Sequence, residues 1–510
     1  MRARIKVTCA IQKLGAGLFL LNCLLVGCDA DSKDSSMVET SGPRSEVAIR
    51  RFCGDCHGFP QADTYPLDIW PEKVREGYRF YYSSLRNDLE VPPVDAVEDY
   101  YSENAPQTLV VEASQLQSKE PKEALFGLGE PINDLGPFKA VSHLKAVKTS
   151  VGPWKLSIAD MRTGSVWLLP CNDTETTATQ LPDCLNACHV EPIDLNQDGT
   201  SDFVVADLGS FLPEDHQMGA VWLMSRAREH ENWNRLPLLD GIGRVADVQP
   251  LDADGDGDID LIVAEFGWHA TGKITLLRNN PAEDGSPNMS PETIDPRHGA
   301  IHVPVADLNR DGHPDFMALI SQEHEVVEAF LNRGDGTFAS QTVFKSDNPG
   351  FGSCGIQLCD LDSDGDLDVL FVNGDSLDTP TAKPYHSLCW FENAGTYPFT
   401  KHEICKIPGG YCVQAGDVDL DGDIDLALVT LLPEAVVSAY PVGTFDSVVW
   451  FEQTSDLSFV GHSIERDNCH HAACELLDWD GDGDLDLIVG DMAVDPTASH
   501  PLTLFRNRSR

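Results

Sequence analysis

A chain of 510 residues is longer than one ordinary hydrophobic core supports, so two or more domains are expected. Asp and Glu number 82 against 36 Lys and Arg, a formal charge of −46. So acidic a surface repels phosphate backbones and anionic lipid headgroups, which excludes nucleic acid as a partner. The Asp residues cluster in short periodic runs, and that distribution points to cation binding.

The N-terminus reads as a targeting signal. Arg2, Arg4, Lys6 and Lys13 precede an apolar stretch from Leu14 to Val26, which is too short to span a bilayer comfortably. It ends in Leu25-Val26-Gly27-Cys28, which resembles the bacterial lipobox. The resemblance implies cleavage before Cys28, diacylglycerol on its thiol, and a lipid anchor in the bacterial cell envelope, facing the periplasm or the exterior. Residues 1–27 are then a signal peptide and 28–44 a flexible tether. Export implies an oxidising compartment. Setting aside Cys9, Cys23, Cys28, Cys53 and Cys56, the 15 cysteines leave an even number. Cys469 with Cys474, or Cys171 with Cys184, are local disulfide candidates, and buried free thiols are the alternative.

Apolar residues at helical spacing run from Ser45 to Phe52, straight into Cys53-Gly54-Asp55-Cys56-His57. This C-x-x-C-H supplies two thiols for haem vinyl groups and His57 for the iron. A zinc site would need a second C-x-x-C nearby, and a thioredoxin-type pair would need a βαβ context. With further helices expected from Pro71 to Tyr82 and from Val94 to Tyr101, the segment 45–106 resembles a short c-type cytochrome domain. The resemblance implies one covalent haem c on Cys53 and Cys56, with His57 as axial ligand. Members of that family place a Met across the iron, yet no Met lies between His57 and Met161. Met37 and His143 are the nearest alternatives, so the iron is five-coordinate or takes its sixth ligand from the second domain. Without Met the potential is expected to be lower.

After a connector (107–136) the chain repeats itself. Six segments of the form D-x-[DN]-x-D-G-x-x-D recur every 53 to 61 residues. Asp at loop positions one, three, five and nine, with a carbonyl at seven and Gly at six, can wrap Ca²⁺ in oxygen. The ligand sets are Asp194, Asn196, Asp198 and Asp202; Asp252, Asp254, Asp256 and Asp260; Asp307, Asn309, Asp311 and Asp315. The remaining three are Asp360, Asp362, Asp364 and Asp368; Asp417, Asp419, Asp421 and Asp425; Asp478, Asp480, Asp482 and Asp486. Up to six Ca²⁺ follow, the loop at Asp307 being weakest because Pro314 abuts Asp315. Strands follow each loop at once, which excludes EF-hands.

Each loop leads into an apolar strand such as Phe203–Ala206, then into one marked by an aromatic, as in Val221-Trp222-Leu223 or Val449-Trp450-Phe451. Four short strands per period make a propeller blade. A seventh, degenerate unit stands first: Ser142–Lys145 resembles Cys188–Glu191, with strands at 156–160 and 164–169. The array 137–510 resembles the FG-GAP and VCBS-type repeats of integrin α-subunit propellers, which implies structural calcium. The expected fold is therefore mainly β, a seven-bladed β-propeller preceded by a small all-α cytochrome c-like domain. The chain ends soon after Leu502–Phe505, so the last blade needs an outer strand from Leu109–Val111 or from the stretch before His143.

Five residues before each loop the innermost strand begins, at the end opposite the calcium loops. Those positions hold His143, His189, Asp247, His302, Gly355, Cys412 and Ala473, with Cys469, His470 and His471 just upstream of the last. A propeller gathers such positions at one channel mouth, where they can bind a metal or a small anion or face the haem edge. No nucleophile elbow, Walker loop or H-E-x-x-H is present. Three functions remain. The first is electron transfer with a redox or ligand protein partner docked on the propeller; the second is a non-enzymatic adhesion or ligand-binding propeller with a haem sensor. A propeller oxidoreductase comes third, since no tryptophan-docking repeat of the quinoprotein dehydrogenase type is visible.

Overall fold

Each Asp loop hands directly into a strand with almost no exposed position: Asp202–Asp207, Asp260–Glu265, Asp315–Ile320, Asp368–Val372, Asp425–Thr430 and Asp486–Asp491. Such near-continuous apolar runs belong to strands covered on both faces. In the computed structural model each is the second of the four antiparallel strands of one sheet. Neighbouring sheets bury them from either side, through clusters that join one sheet's Val204 and Val221 to the next one's Leu261 and Val263. Seven sheets form a seven-bladed β-propeller. The described residues are 42–118, 124–132, 140–148, 154–172, 177–226, 232–283, 285–454, 457–492 and 501–509. The segment expected as a signal peptide, Cys28, Met37 and the expected tether up to residue 41 lie outside them. No helix among the described residues is long and apolar enough to cross a membrane.

The degenerate first unit is a full blade, with strands Val141–Val147, Lys155–Asp160, Ser165–Pro170 and Thr179–Gln180. The last blade takes its outer strand from the connector: Glu130–Pro131 pairs antiparallel with Leu502–Phe505, and Phe126 bridges Asn507. Of the two sources expected, the stretch before His143 supplies the strand. Leu109–Val111 forms none, although Leu109 is buried. The connector also adds Gln117–Ser118 as a parallel fifth strand beside Ser458–Arg466 of the sixth blade. It thus covers two outer edges that would otherwise stay open.

Among the described residues three α-helices precede the propeller: α1 (Glu46–Cys53), α2 (Trp70–Ser83) and α3 (Val94–Asn104). Ser45 caps α1 by accepting from the Ala48 amide, Pro71 opens α2, and Pro93 stands before α3. α2 buries Trp70, Val74, Tyr78 and Tyr81, a helical stripe that meets Val97 and Tyr101 of α3. Trp70 lies flat on Tyr101 at 3.6 Å between ring centroids.

This helical module sits on the mouth end of the propeller. Thr64 Oγ1 donates to Asn348 Oδ1 at 3.2 Å, Tyr385 Oη donates to the Thr64 carbonyl at 3.1 Å, and Phe80 packs on His269 at 4.3 Å. Two glycines permit the approach. A Cβ on Gly58 would strike the Asp347 carbonyl, and one on Gly350 the Tyr65 hydroxyl.

Candidate functional site

Cys53 closes α1 and packs into the helical core, where burial pushes its thiol up to about 12. Exposed Cys56 accepts from Arg86 Nη1 at 3.1 Å, and the same guanidinium pairs with Asp55 and Asp88 at 2.6 Å each. His57 Nδ1 lies 2.7 Å from the Gly58 carbonyl, and among the described residues Nε2 has no hydrogen-bond partner. Two unpaired thiols and an imidazole oriented through its far nitrogen match what a C-x-x-C-H haem attachment needs. His143, one of the alternatives for a sixth ligand, is committed elsewhere: its ring lies 3.9 Å from that of His189 inside the propeller mouth.

All twelve described cysteines are free thiols. The disulfide candidates are therefore corrected. Cys469 faces the Ser447 hydroxyl at 3.7 Å, while Cys474 Sγ lies 3.7 Å from Cys412 Sγ on the neighbouring blade. Cys171 and Cys184 belong to different core clusters.

At the far end of the propeller the six loops share one geometry. Gly at position six has φ between +81° and +100°, which only Gly adopts without strain. The ninth Asp is at most 3% exposed in every loop. In five loops (all but the first) its Oδ2 accepts the amide of the loop's second residue at 2.9–3.2 Å. Its Oδ1 accepts the amide of Asn279, Asn332, Asn393, Gln453 or Asn507 at 2.6–2.8 Å. The ninth Asp thus fastens loop to blade. In the first loop the backbone of Arg226, at the equivalent strand end, favours the charged form of Asp202 against its burial.

The carboxylates left for a cation are those at positions one, three and five. One oxygen from each of Asp252, Asp254 and Asp256 lies within 4.8 Å of the others, and the same holds for Asp360, Asp362 and Asp364 and for Asp417, Asp419 and Asp421. Asp360 Oδ1 and Asp417 Oδ1 are shut from solvent with no hydrogen-bond partner. Crowded like charges, orphaned oxygens and an all-oxygen donor set fit a hard divalent cation. In the second and last loops an arginine approaches instead, Arg278 on Asp254 at 3.1 Å and Arg506 on Asp480 at 3.0 Å. In the first and third loops the Asn side chain donates to the fifth-position Asp, Asn196 to Asp198 at 3.2 Å and Asn309 to Asp311 at 2.9 Å.

The mouth is built by bulges. In six of the seven innermost strands the register slips just before the residue expected at the mouth, for example between Val141 and His143, Ala187 and His189, and Val245 and Asp247. Bulges of this kind re-aim a side chain. His143, His189, Asp247, His302, Gly355, Cys412 and Ala473 all line one chamber of about 970 Å³, with Tyr65, Lys73, Glu76 and Phe80 of the helical module on its other side. His470 and His471 lie outside it. His470 pairs with Glu434 at 3.3 Å, and His471 is held between Asp491 and Glu465 at 2.7 Å each, because the bulge before Ala473 turns them off the ring.

Below the ring lies a second one that the motif search missed. Two residues on from six of the seven mouth positions stand Lys145, Glu191, Gln249, Gln357, Gln414 and Glu475, with Pro304 at the seventh, and a period of two along the innermost strands is the signal that finds them. Lys145 Nζ bonds both Glu191 oxygens, at 2.7 Å to Oε1; His189 Nε2 lies 2.9 Å from Glu191 and 3.0 Å from Asp247. Burial drives His143 well below its ordinary value, leaving it neutral. Burial also opposes a charge on His189, but Asp247 and Glu191 outweigh it and raise that imidazole. Burial lifts Glu475 to about 7. His143, His189 and Glu191 offer donor atoms within 4.8 Å of one another, yet a metal there would have to displace Lys145.

Residues 252–318 and 307–371 match the FG-GAP-like repeat family. These segments take in the second, third and fourth Asp loops, so the chain carries FG-GAP repeats on a seven-bladed propeller. No curated protein matches it.

Proposed function

We propose that the chain is an envelope-anchored c-type haem protein whose calcium-stabilised propeller docks a partner for electron transfer. The observation that carries this reading is the Cys53-Gly54-Asp55-Cys56-His57 turn, with both thiols free and His57 Nε2 unpartnered, in a module seated at the propeller mouth. Cys53 and Cys56 would hold the haem through thioether bonds, and His57 would ligate the iron. Bound haem supplies one-electron chemistry. The six Asp loops take up to six Ca²⁺ as structural ions, and Cys28 takes the lipid that keeps the protein at the envelope, facing the periplasm or exterior.

The test is the visible spectrum of protein matured with the c-haem machinery, oxidised and reduced, with and without carbon monoxide. A covalent c-type spectrum that carbon monoxide leaves unchanged, and that Cys53→Ala and Cys56→Ala abolish, is expected. A spectrum that carbon monoxide shifts means an open iron and favours a second reading, a ligand-binding propeller with the haem as sensor. The chamber of about 970 Å³ speaks for that alternative. A colourless protein overturns both haem readings.

A further inference from the structure

Among the charged side chains lining the chamber, Arg244 stands apart. It begins the approach to the innermost strand of the third blade and is 6% exposed. Among the described residues its guanidinium has no hydrogen-bond or ion-pair partner, and its Nε is shut from solvent. Asp378 and Glu214, the carboxylates whose charge it feels, lie beyond ion-pair distance. Most other charges around the chamber are answered. Lys73 pairs with Glu76 at 3.1 Å, Asp247 with His189, and Glu323 with His298 at 3.0 Å. Lys383 donates to the Asp375 carbonyl at 3.0 Å, and Glu325 accepts the amides of Gly352 and Ser353.

A buried cation with no partner costs folding energy, so a protein that keeps one has a use for it. The surroundings say which. The Phe266 ring lies 5.5 Å from the guanidinium, and Trp268, Phe211 and Leu212 share the wall, an apolar lining around one fork of donors. The chamber is of the size that holds a small organic molecule.

We propose that the chamber binds a small organic monocarboxylate, its carboxylate paired with Arg244 and its apolar body against the aromatic wall. One planar fork matches one carboxylate in a bidentate manner. A dianion such as phosphate would bring a second negative charge among Asp247, Glu323 and Asp375, while the other buried cation of the lining, Lys383, is held on the Asp375 carbonyl at 3.0 Å. The site does not depend on haem, since Arg244 and the aromatic wall of Phe211, Phe266 and Trp268 all belong to the propeller.

The test is calorimetric titration of benzoate, hexanoate and inorganic phosphate into the full chain in a chloride buffer, for the parent protein and for Arg244→Met. Benzoate or hexanoate is expected to bind the parent at least tenfold more tightly than phosphate, and Arg244→Met is expected to lose at least tenfold of that affinity. Without ligand, Arg244→Met is expected to melt no lower than the parent, since it removes an unanswered buried charge. Three results overturn the proposal. Neither carboxylate binds, or phosphate binds as tightly, or Arg244→Met melts lower while Arg244→Lys does not, which would make Arg244 a structural cation.

Discussion

The two ends of this propeller handle charge in opposite ways. At the loop end, carboxylates of one sign crowd within 4.8 Å in the same place blade after blade, and few cations of the chain reach them. At the mouth end, Lys145, His189, Glu191 and Asp247 answer one another within a single buried network, and each blade contributes something different. Repetition at one end points to a shared need, one that a cation from solution would meet. Variety at the other points to a specific site. The loop end should therefore respond to the cation content of the buffer, and the mouth end should not.

Removing divalent cations should produce the largest change. An ion at 100 times its dissociation constant stabilises the folded state by about 2.7 kcal/mol per site. Six sites add up to more than the whole stability of an ordinary domain. Scanning calorimetry in chelator should show the propeller melting at least ten degrees lower than in Ca²⁺, with Mg²⁺ a poor substitute. Asp417→Asn with Asp421→Asn should lower the number of bound ions by one. A melting temperature indifferent to chelator would mean that the arginines and backbone amides suffice, and the contrast between the ends would collapse.

At the mouth, Lys145→Met should cost about 3 kcal/mol, because Glu191 is then left charged and buried with only His189 and Gln249 to answer it. The double change Lys145→Met with Glu191→Gln should recover most of that loss in denaturant unfolding. Calcium should leave the coupling between the two positions unchanged. A coupling that vanishes on chelation would show that the two ends are mechanically linked.

How much of this was legible follows from where repetition acts. The six loops, their buried strands and the seven-blade count were readable because one motif recurs at a nearly fixed interval, and even the degenerate first blade keeps its Ser-His-Leu-Lys echo. The mouth ring was readable as positions, since strand register carries it from blade to blade. His470 and His471 were misplaced because the bulge before Ala473 turns the chain there, and a bulge leaves no trace in a single sequence. The second ring was hidden in plain view, as Lys, Glu and Gln look like ordinary polar strand residues until the strand is known to be innermost. Arg244 was invisible, because its meaning lies in a missing partner. The disulfide candidates failed for a related reason: proximity in sequence, as between Cys469 just before the innermost strand and Cys474 within it, still leaves two residues facing different neighbours.

A pH series probes a charge outside both ends. His471 is 1% exposed, and burial opposes its protonation, yet Asp491 and Glu465 raise it from 6.5 to about 9. The folded state therefore holds the proton more tightly than the unfolded chain. Its contribution, roughly 3 kcal/mol from a shift of this size, is complete below pH 6.5 and fades as pH climbs through 9. Because Glu465 sits on the sixth blade and Asp491 on the seventh, the loss should loosen that seam. Stability measured between pH 6 and 10 should fall for the parent and stay flatter for His471→Gln. Parallel curves would assign the decline to other groups.

The smallest expected effect concerns how the loop end is sewn to the blades. Asn332 Nδ2 donates to the Ala253 carbonyl at 2.8 Å and to the Pro314 carbonyl at 3.1 Å, so it ties the loop of one blade to that of its neighbour. Asn507 does the same with Val418 and Leu485, at 2.7 and 3.0 Å. Asn393 donates only once, to Leu367 at 3.1 Å within its own blade. Replacing each by Ala leaves carbonyls unanswered, at about 1–2 kcal/mol for the first two and less for the third. The order Asn332 and Asn507 above Asn393 should hold in saturating Ca²⁺, because these bonds join backbone to side chain and use no cation. If instead the three losses are equal with calcium and spread apart without it, the ions rather than the asparagines hold neighbouring loops together.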